Sequence, residues 1–277
     1  EELVKSLNEH LGSDDVRFYT GTGYRNLLVY EPRSILDIET TPPHQAMGEL
    51  LMDILPTGKG SGHIIEIMRA SKDVLENQEV NEVRRDLGQN PANMIWLWGE
   101  GSPPSMEPFS RKYGLSGKAI SAVNLVRGLA RLVGWDIIEV PGITGFTDTD
   151  YGAKGRYAID ALNNDAEIVL VHVEAPDEAS HEQDARAKVR AIEQIDQNVV
   201  GPVLAAGDDF KGFRMMVMSD HITSVEKGRH MRGMVPMAMW GEGIRGSFGG
   251  RFDEGHAGKT DIVWDEGHDL MTSFVHK

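Results

Sequence analysis

The apolar positions of residues 1–90 change period several times. From Glu2 to Leu11 they recur at helical spacing, and Gly12 provides a stop. Val16 to Tyr19 and Asn26 to Glu31 read as strands around a Gly21-Thr22-Gly23 turn. Thr40 to Pro43 is a break, Ala46 to Leu55 predicts a helix, and Gly58 to Gly62 predicts a flexible turn. Ile64 to Leu87 predicts one long helix or two short ones.

A different rhythm begins near Pro91. Met94 to Trp98 predicts a buried strand, Ala119 to Ala122 a second, and Asn124 to Val133 a helix. Asp136 to Glu139 predicts a strand, Lys154 to Asn163 a helix, and Ile168 to Val173 an apolar strand. A long amphipathic helix follows from Glu182 to Leu204, then strands at Arg214 to Met218 and Val235 to Trp240. Trp96, Trp98, Met215, Met216 and Met218 read as core. The alternation predicts an α/β fold with a mostly parallel sheet and helices on both faces.

Composition sets limits on function. The 277 residues allow two domains or one large one, and 40% hydrophobic residues can fill a sizeable core. With no cysteine, disulfides and thiolate metal sites are excluded. Glu1 to Asn8 is charged and polar, unlike a secretory leader, and the apolar runs are too short for a membrane span. These features predict a cytoplasmic protein without a membrane partner. A net charge of −15, from 28 basic and 43 acidic side chains, repels nucleic acid. It also repels phosphorylated metabolites at long range, so a site for one needs local positive charge from metal ions or a few arginines.

Ligands of open α/β sheets gather at the carboxyl ends of strands. The strand Ile168 to Val173 runs into Glu174-Ala175-Pro176-Asp177-Glu178-Ala179-Ser180-His181. One helical turn places Asp177 and His181 on the same side, able to share an ion. The strand Arg214 to Met218 ends in Ser219-Asp220-His221, and Gly228-Arg229-His230 precedes another strand. Adjacent Asp and His at a turning strand end can serve two neighbouring ions. Mixed carboxylate and imidazole groups suit zinc or manganese, and less often magnesium alone. Asp177 also suits a helix N-cap, and His10, His63, His268 and His276 read as solvated side chains.

Val171 to His181, then Met218-Ser219-Asp220-His221, then His230 with Val235-Pro236 following, resemble the archaeal-type cofactor-independent phosphoglycerate mutases of the alkaline phosphatase superfamily. The likeness includes Gly23-Tyr24-Arg25, Pro91 to Gly99, Tyr113-Gly114-Leu115, Ile120 to Val123, Pro141 to Gly145 and Gly267 to Met271. It implies an alkaline-phosphatase-like sheet domain plus a smaller α+β inserted domain at the N-terminal end. Residues 1–75 would be the inserted, substrate-covering domain, and 76–277 the C-terminal part of the metal-binding domain. Asp177, His181 and His230 would hold one divalent metal ion, Asp220 and His221 a second, the ions being manganese, zinc or magnesium. The implied reaction interconverts 2-phosphoglycerate and 3-phosphoglycerate through a phosphoserine, in glycolysis and gluconeogenesis, without 2,3-bisphosphoglycerate.

The family pattern also places an Asp and the nucleophilic Ser or Thr upstream of the matched region. The chain is therefore expected to lack the nucleophile and to be inactive alone. An N-terminal companion segment or homo-oligomer would cover the open sheet edge. Ser61, in Gly58-Lys59-Gly60-Ser61-Gly62, resembles a phosphate loop but lacks that motif's spacing. For a small phosphorylated metabolite, Arg25 is the first candidate contact, although Asn26 replaces the family's usual His. His44, whose flanking acids are absent, and Arg229 are further candidates. Two other readings fit the same residues. One is a different phosphotransferase of the superfamily, of the kind named homoserine kinase or phosphonopyruvate decarboxylase. The other is a non-catalytic metal-binding subunit.

Overall fold

The computed structural model describes residues 1–22, 25–31, 37–43, 46, 48–246 and 249–276. The chain divides into two compact units, Glu1–Pro103 and Pro104–Lys277.

The first unit contains α1 (Glu2–Leu11), β1 (Val16–Thr22), β2 (Arg25–Tyr30), β3 (Asp37–Glu39), β4 (Thr57–Lys59), α2 (Ser61–Glu76) and α3 (Glu79–Asp86). Val4 and Leu7, spaced on one face of α1, pack with Val16 and Phe18 of β1 and with Ile67 and Leu75 of α2. The Asn8 side chain donates to Phe18 O at 2.6 Å and accepts from Phe18 N at 2.8 Å, tying α1 to β1. β1 and β2 pair antiparallel, as do β3 and β4.

Three expectations change in this unit. Ala46 to Leu55 is not a helix among the described residues: only a 3₁₀ turn, Leu51–Asp53, forms there. Gly48 has a φ of 90°, which ends any helix, and Pro56 disfavours the helical region for Leu55. Gly58 to Gly62 is structured: Gly58 lies in β4, and Ser61 opens α2 with its hydroxyl donating to Gly58 O. Met94 to Trp98 is not a strand. Ile95 N donates to the Ser71 side chain, and the Trp96 indole donates through Nε1 to Thr41 O. Trp98 is exposed rather than core.

The same anchoring holds the segment after α3 within the first unit, which runs to Pro103. Asn81 is fully buried, and its amide bonds Leu75 O, Ala92 O and Ala92 N at 2.7–2.8 Å. Those bonds satisfy the polar group and hold residue 92 against α2 and α3. Ile95 and Leu97 then pack on the first unit's core.

The second unit runs α4 (Phe109–Tyr113), β5 (Gly117–Ile120), α5 (Asn124–Leu132), β6 (Asp136–Ile137), α6 (Tyr151–Asn164), β7 (Ile168–Val171), α7 (Ala175–His181), α8 (Ala185–Ile195) and α9 (Gly201–Ala206). It continues with β8 (Arg214–Met218), β9 (Ile222–Ser224), β10 (Arg229–Met231), β11 (Met237–Gly241), α10 (Glu254–Ala257) and α11 (Leu270–His276). β5 lies between β6 and β7, and both pairings are parallel. Successive strand residues face opposite sides. Ala119 accordingly packs with Ala130 of α5 and Met271 and Val275 of α11, while Ile120 packs with Ala153 and Ala158 of α6. Helices thus cover both faces, as the alternating pattern predicts.

β8 and β11 pair antiparallel, and Met218 is exposed at the end of β8. The expected long helix from Glu182 begins instead at Ala185, because Gln183 adopts a φ of 59° and Asp184 caps α8 through Ala187 N. A π-helical turn, Asp196–Val200, links α8 to α9. Among the described residues no helix is long and apolar enough to cross a membrane.

Candidate metal centre

Asp177 and His181 lie on α7, which starts immediately past the carboxyl end of β7. Pro176 in the first turn suits a helix start, because its missing N–H has no intrahelical partner there. His230 comes from β10 and His221 from the turn between β8 and β9. His230 Nε2 lies 3.2 Å from Asp177 Oδ1, and His181 Nε2 lies 3.2 Å from Asp177 Oδ2. The two Nε2 atoms are 3.0 Å apart. The rings of His221 and His230 lie against each other at 38°, with centroids 3.9 Å apart.

The partners of the other ring nitrogens set the chemistry. His181 Nδ1 lies 2.9 Å from Gly228 O. A carbonyl only accepts, so Nδ1 carries a proton, and Nε2 faces His230 and Asp177; the 3.0 Å contact between the two Nε2 atoms needs one of them to accept. A carboxylate and at least one unprotonated imidazole nitrogen therefore converge within 3.2 Å. That donor set fits a divalent cation of the zinc or manganese kind. His221 repeats the pattern: its Nδ1 lies 3.1 Å from Thr223 Oγ1, and its Nε2 lies 3.4 Å from Asp220 Oδ2. The Asp220 carboxylate is exposed and also accepts from His221 N.

Of the other predicted residues, Arg229 is exposed on β10, and strand alternation turns it to the face opposite His230. Arg25 lies exposed at the start of β2, in the first unit. His44 lies outside the described residues.

Sequence reasoning did not assign roles to the groups behind the ligands. Ser121 Oγ accepts from Val123 N at 3.0 Å and lies 3.2 Å from His172 Nδ1. His172 Nε2 lies 3.4 Å from Glu174 Oε2. The order Ser–His–Glu resembles a nucleophile triad, but Ser121 is 0% exposed and its oxygen is already engaged. Burial lowers the pKa of His172. Burial raises that of Glu174, helped by the nearby Asp177 and Glu178 carboxylates. Lys154, 1% exposed on α6, donates to His172 O at 2.9 Å. Burial depresses its amine to about 8, against a smaller upward pull from Glu174.

Fold and site together describe an α/β unit in which a carboxylate and imidazoles from α7, β10 and the turn after β8 come together. A family model described as the Metalloenzyme superfamily matches residues 22–264. The 2,3-bisphosphoglycerate-independent phosphoglycerate mutase 2 of Methanothermobacter thermautotrophicus is 44% identical over 270 residues, 97% of this chain and 66% of its own length. The enzyme of that name from Methanothrix thermoacetophila is 42% identical over 275 residues, covering 99% of this chain and 69% of its own. The solved PH0037 protein from Pyrococcus horikoshii matches with a TM-score of 0.69 and 28% identity, over 78% of this chain and 56% of that one. A cofactor-independent phosphoglycerate mutase from Thermoplasma acidophilum shares the fold, with a TM-score of 0.65 at 20% identity, over 99% of this chain and 68% of its own. The chain belongs to the 2,3-bisphosphoglycerate-independent phosphoglycerate mutase family of the metalloenzyme superfamily. It spans 66% and 69% of the length of those two curated relatives.

Proposed function

We propose that this chain supplies the metal-holding part of a phosphoglycerate mutase that interconverts 2-phosphoglycerate and 3-phosphoglycerate without 2,3-bisphosphoglycerate. The observation that carries the reading is the convergence of Asp177, His181 and His230 within 3.2 Å, in a chain of this family. These three would hold one divalent ion, and Asp220 with His221 a second, manganese, zinc or magnesium being the candidates. Bound there, such ions stabilise negative charge on a phosphoryl oxygen.

The chain's own groups supply the rest of the arrangement. The Gly228 carbonyl presents His181 Nε2 to the centre. His181 and His230 are exposed, so the centre is open to a solvent-borne phosphate. Among the described hydroxyls behind it, Ser121 and Thr223 are buried and already hydrogen-bonded. The family pattern assigns the hydroxyl that would take the phosphoryl group to a segment matching the part of the relatives that this chain does not span. Arg25 remains the candidate for binding carboxylate or phosphate. Residues 1–75 are assigned to an inserted, substrate-covering domain, and the setting to cytoplasmic glycolysis or gluconeogenesis.

Protein expressed from the complete reading frame and loaded with manganese should convert 3-phosphoglycerate, read as phosphoenolpyruvate through added enolase. Asp177→Asn should abolish the signal. No phosphoenolpyruvate from the metal-loaded protein would reject the mutase.

A further inference from the structure

Thr223 is 6% exposed and sits in the middle of β9. Its hydroxyl touches two residues, His221 two positions before it and Asp177 far away in the sequence. It donates to Asp177 Oδ1 on α7 and lies 3.1 Å from His221 Nδ1. A hydroxyl has one proton, and the carboxylate can only accept it. The His221 contact therefore runs the other way, with Nδ1–H donating to the hydroxyl oxygen. That fixes Nδ1 as the donor nitrogen of His221, with Nε2 lying 3.4 Å from Asp220 Oδ2. Thr223 is also the cross-strand partner of His230 in the β9–β10 hairpin. Directly opposed residues of an antiparallel pair share a face. Lys188 on α8 fixes the strand from behind, its Nζ donating to Thr223 O at 2.9 Å.

We propose that Thr223 is the positioning residue that joins the two metal sites: one hydroxyl aims Asp177 of the first and sets the tautomer of His221 in the second. The proposal rests on the metal-centre reading for its consequence, but the hydrogen-bond direction stands without any ion. Ligand-orienting hydrogen bonds of this kind typically change metal affinity by about 10–100-fold when removed. The hydroxyl, rather than the bulk of the side chain, carries the effect. Thr223→Val keeps the shape and removes both bonds, whereas Thr223→Ser keeps them.

The test uses the full chain in two measurements. In metal-free protein labelled with ¹⁵N-histidine, the imidazole correlation spectrum reads the His221 tautomer. The Nδ1–H form is expected in the wild type and in Thr223→Ser, and its loss in Thr223→Val. The same tautomer in all three would overturn the proposal. In a calorimetric Mn²⁺ titration, Thr223→Val should bind about 10–100-fold more weakly, with Thr223→Ser close to wild type. Unchanged affinity in Thr223→Val would equally overturn it. Thr223→Ala replaces Thr223→Val if the latter does not fold. A wild type that binds no Mn²⁺ rejects the metal reading, while the tautomer comparison still decides the role of Thr223.

Discussion

A backbone carbonyl decides which nitrogen of His181 faces the ligand cluster. Gly228 can present that carbonyl because its φ of 59° is open to glycine, and a Cβ there would lie 3.1 Å from His181 O. Gly228→Val should cost about 1–2 kcal/mol of stability from left-handed strain, read as a lower melting temperature. It should also weaken Mn²⁺ binding, because the His181 ring loses its anchor. Lys154 gives a separate signature. Its amine falls from 10.5 to about 8 in the folded protein. Between those values the folded state holds fewer protons than the unfolded one, so this group's contribution to stability rises with pH and is lost as pH falls toward 8. Denaturation of wild type and Lys154→Met from pH 8 to 10.5 should show the difference moving in favour of the wild type by up to about 3 kcal/mol. A flat difference would contradict the buried-amine account. Asp177 and His181 are legible in the sequence because one helical turn relates them. Thr223 and Gly228 are not, because their contacts depend on the register of a hairpin that no local signal places against α7.

Helix ends, rather than helix interiors, position the centre. Gln183 takes a φ of 59°, its side chain donates to Glu226 O at 2.8 Å, and Asp184 caps α8. The short α7 is thereby separated from α8 and held against the loop that carries Gly228. Hydrophobic periodicity runs through this break, which is why the sequence predicts a single helix from Glu182 and misses the turn. The missed case at Met94 to Trp98 has another cause: an apolar run bounded by turns fits a strand until its hydrogen bonds involve side chains. Two glycines test the packing at this scale. Gly155 on α6 approaches the π turn so closely that a Cβ would lie 2.4 Å from Asn198 O. Gly155→Ala should therefore destabilise by about 1–3 kcal/mol, as overpacked sites do. Gly128 on α5 has nothing within 4 Å of an added Cβ. Gly128→Ala should stabilise by about 1 kcal/mol through helix propensity. Chemical denaturation of both variants checks the contrast.

At the scale of the whole molecule, a net charge of −15 repels an anionic metabolite at long range, so under the proposed function the bound ions would supply the compensating charge. The parallel β6–β5–β7 sheet and its helix-covered faces were legible from the alternation of strands and helices. The attachment of residues 92–95 to the first unit was not, because it is made by the side chains of Ser71 and Asn81. Ion binding links the centre to stability. At a free concentration one hundred times the dissociation constant, an ion that binds only the folded state adds about 2.7 kcal/mol. Asp177 is the ligand that both imidazoles of the first site approach, so its removal isolates the central claim. A calorimetric Mn²⁺ titration of the wild type and of Asp177→Asn reads it directly. One tightly held ion per chain in the wild type, lost in the variant, is the predicted result. No ion in the wild type, or equal affinity in Asp177→Asn, would contradict it.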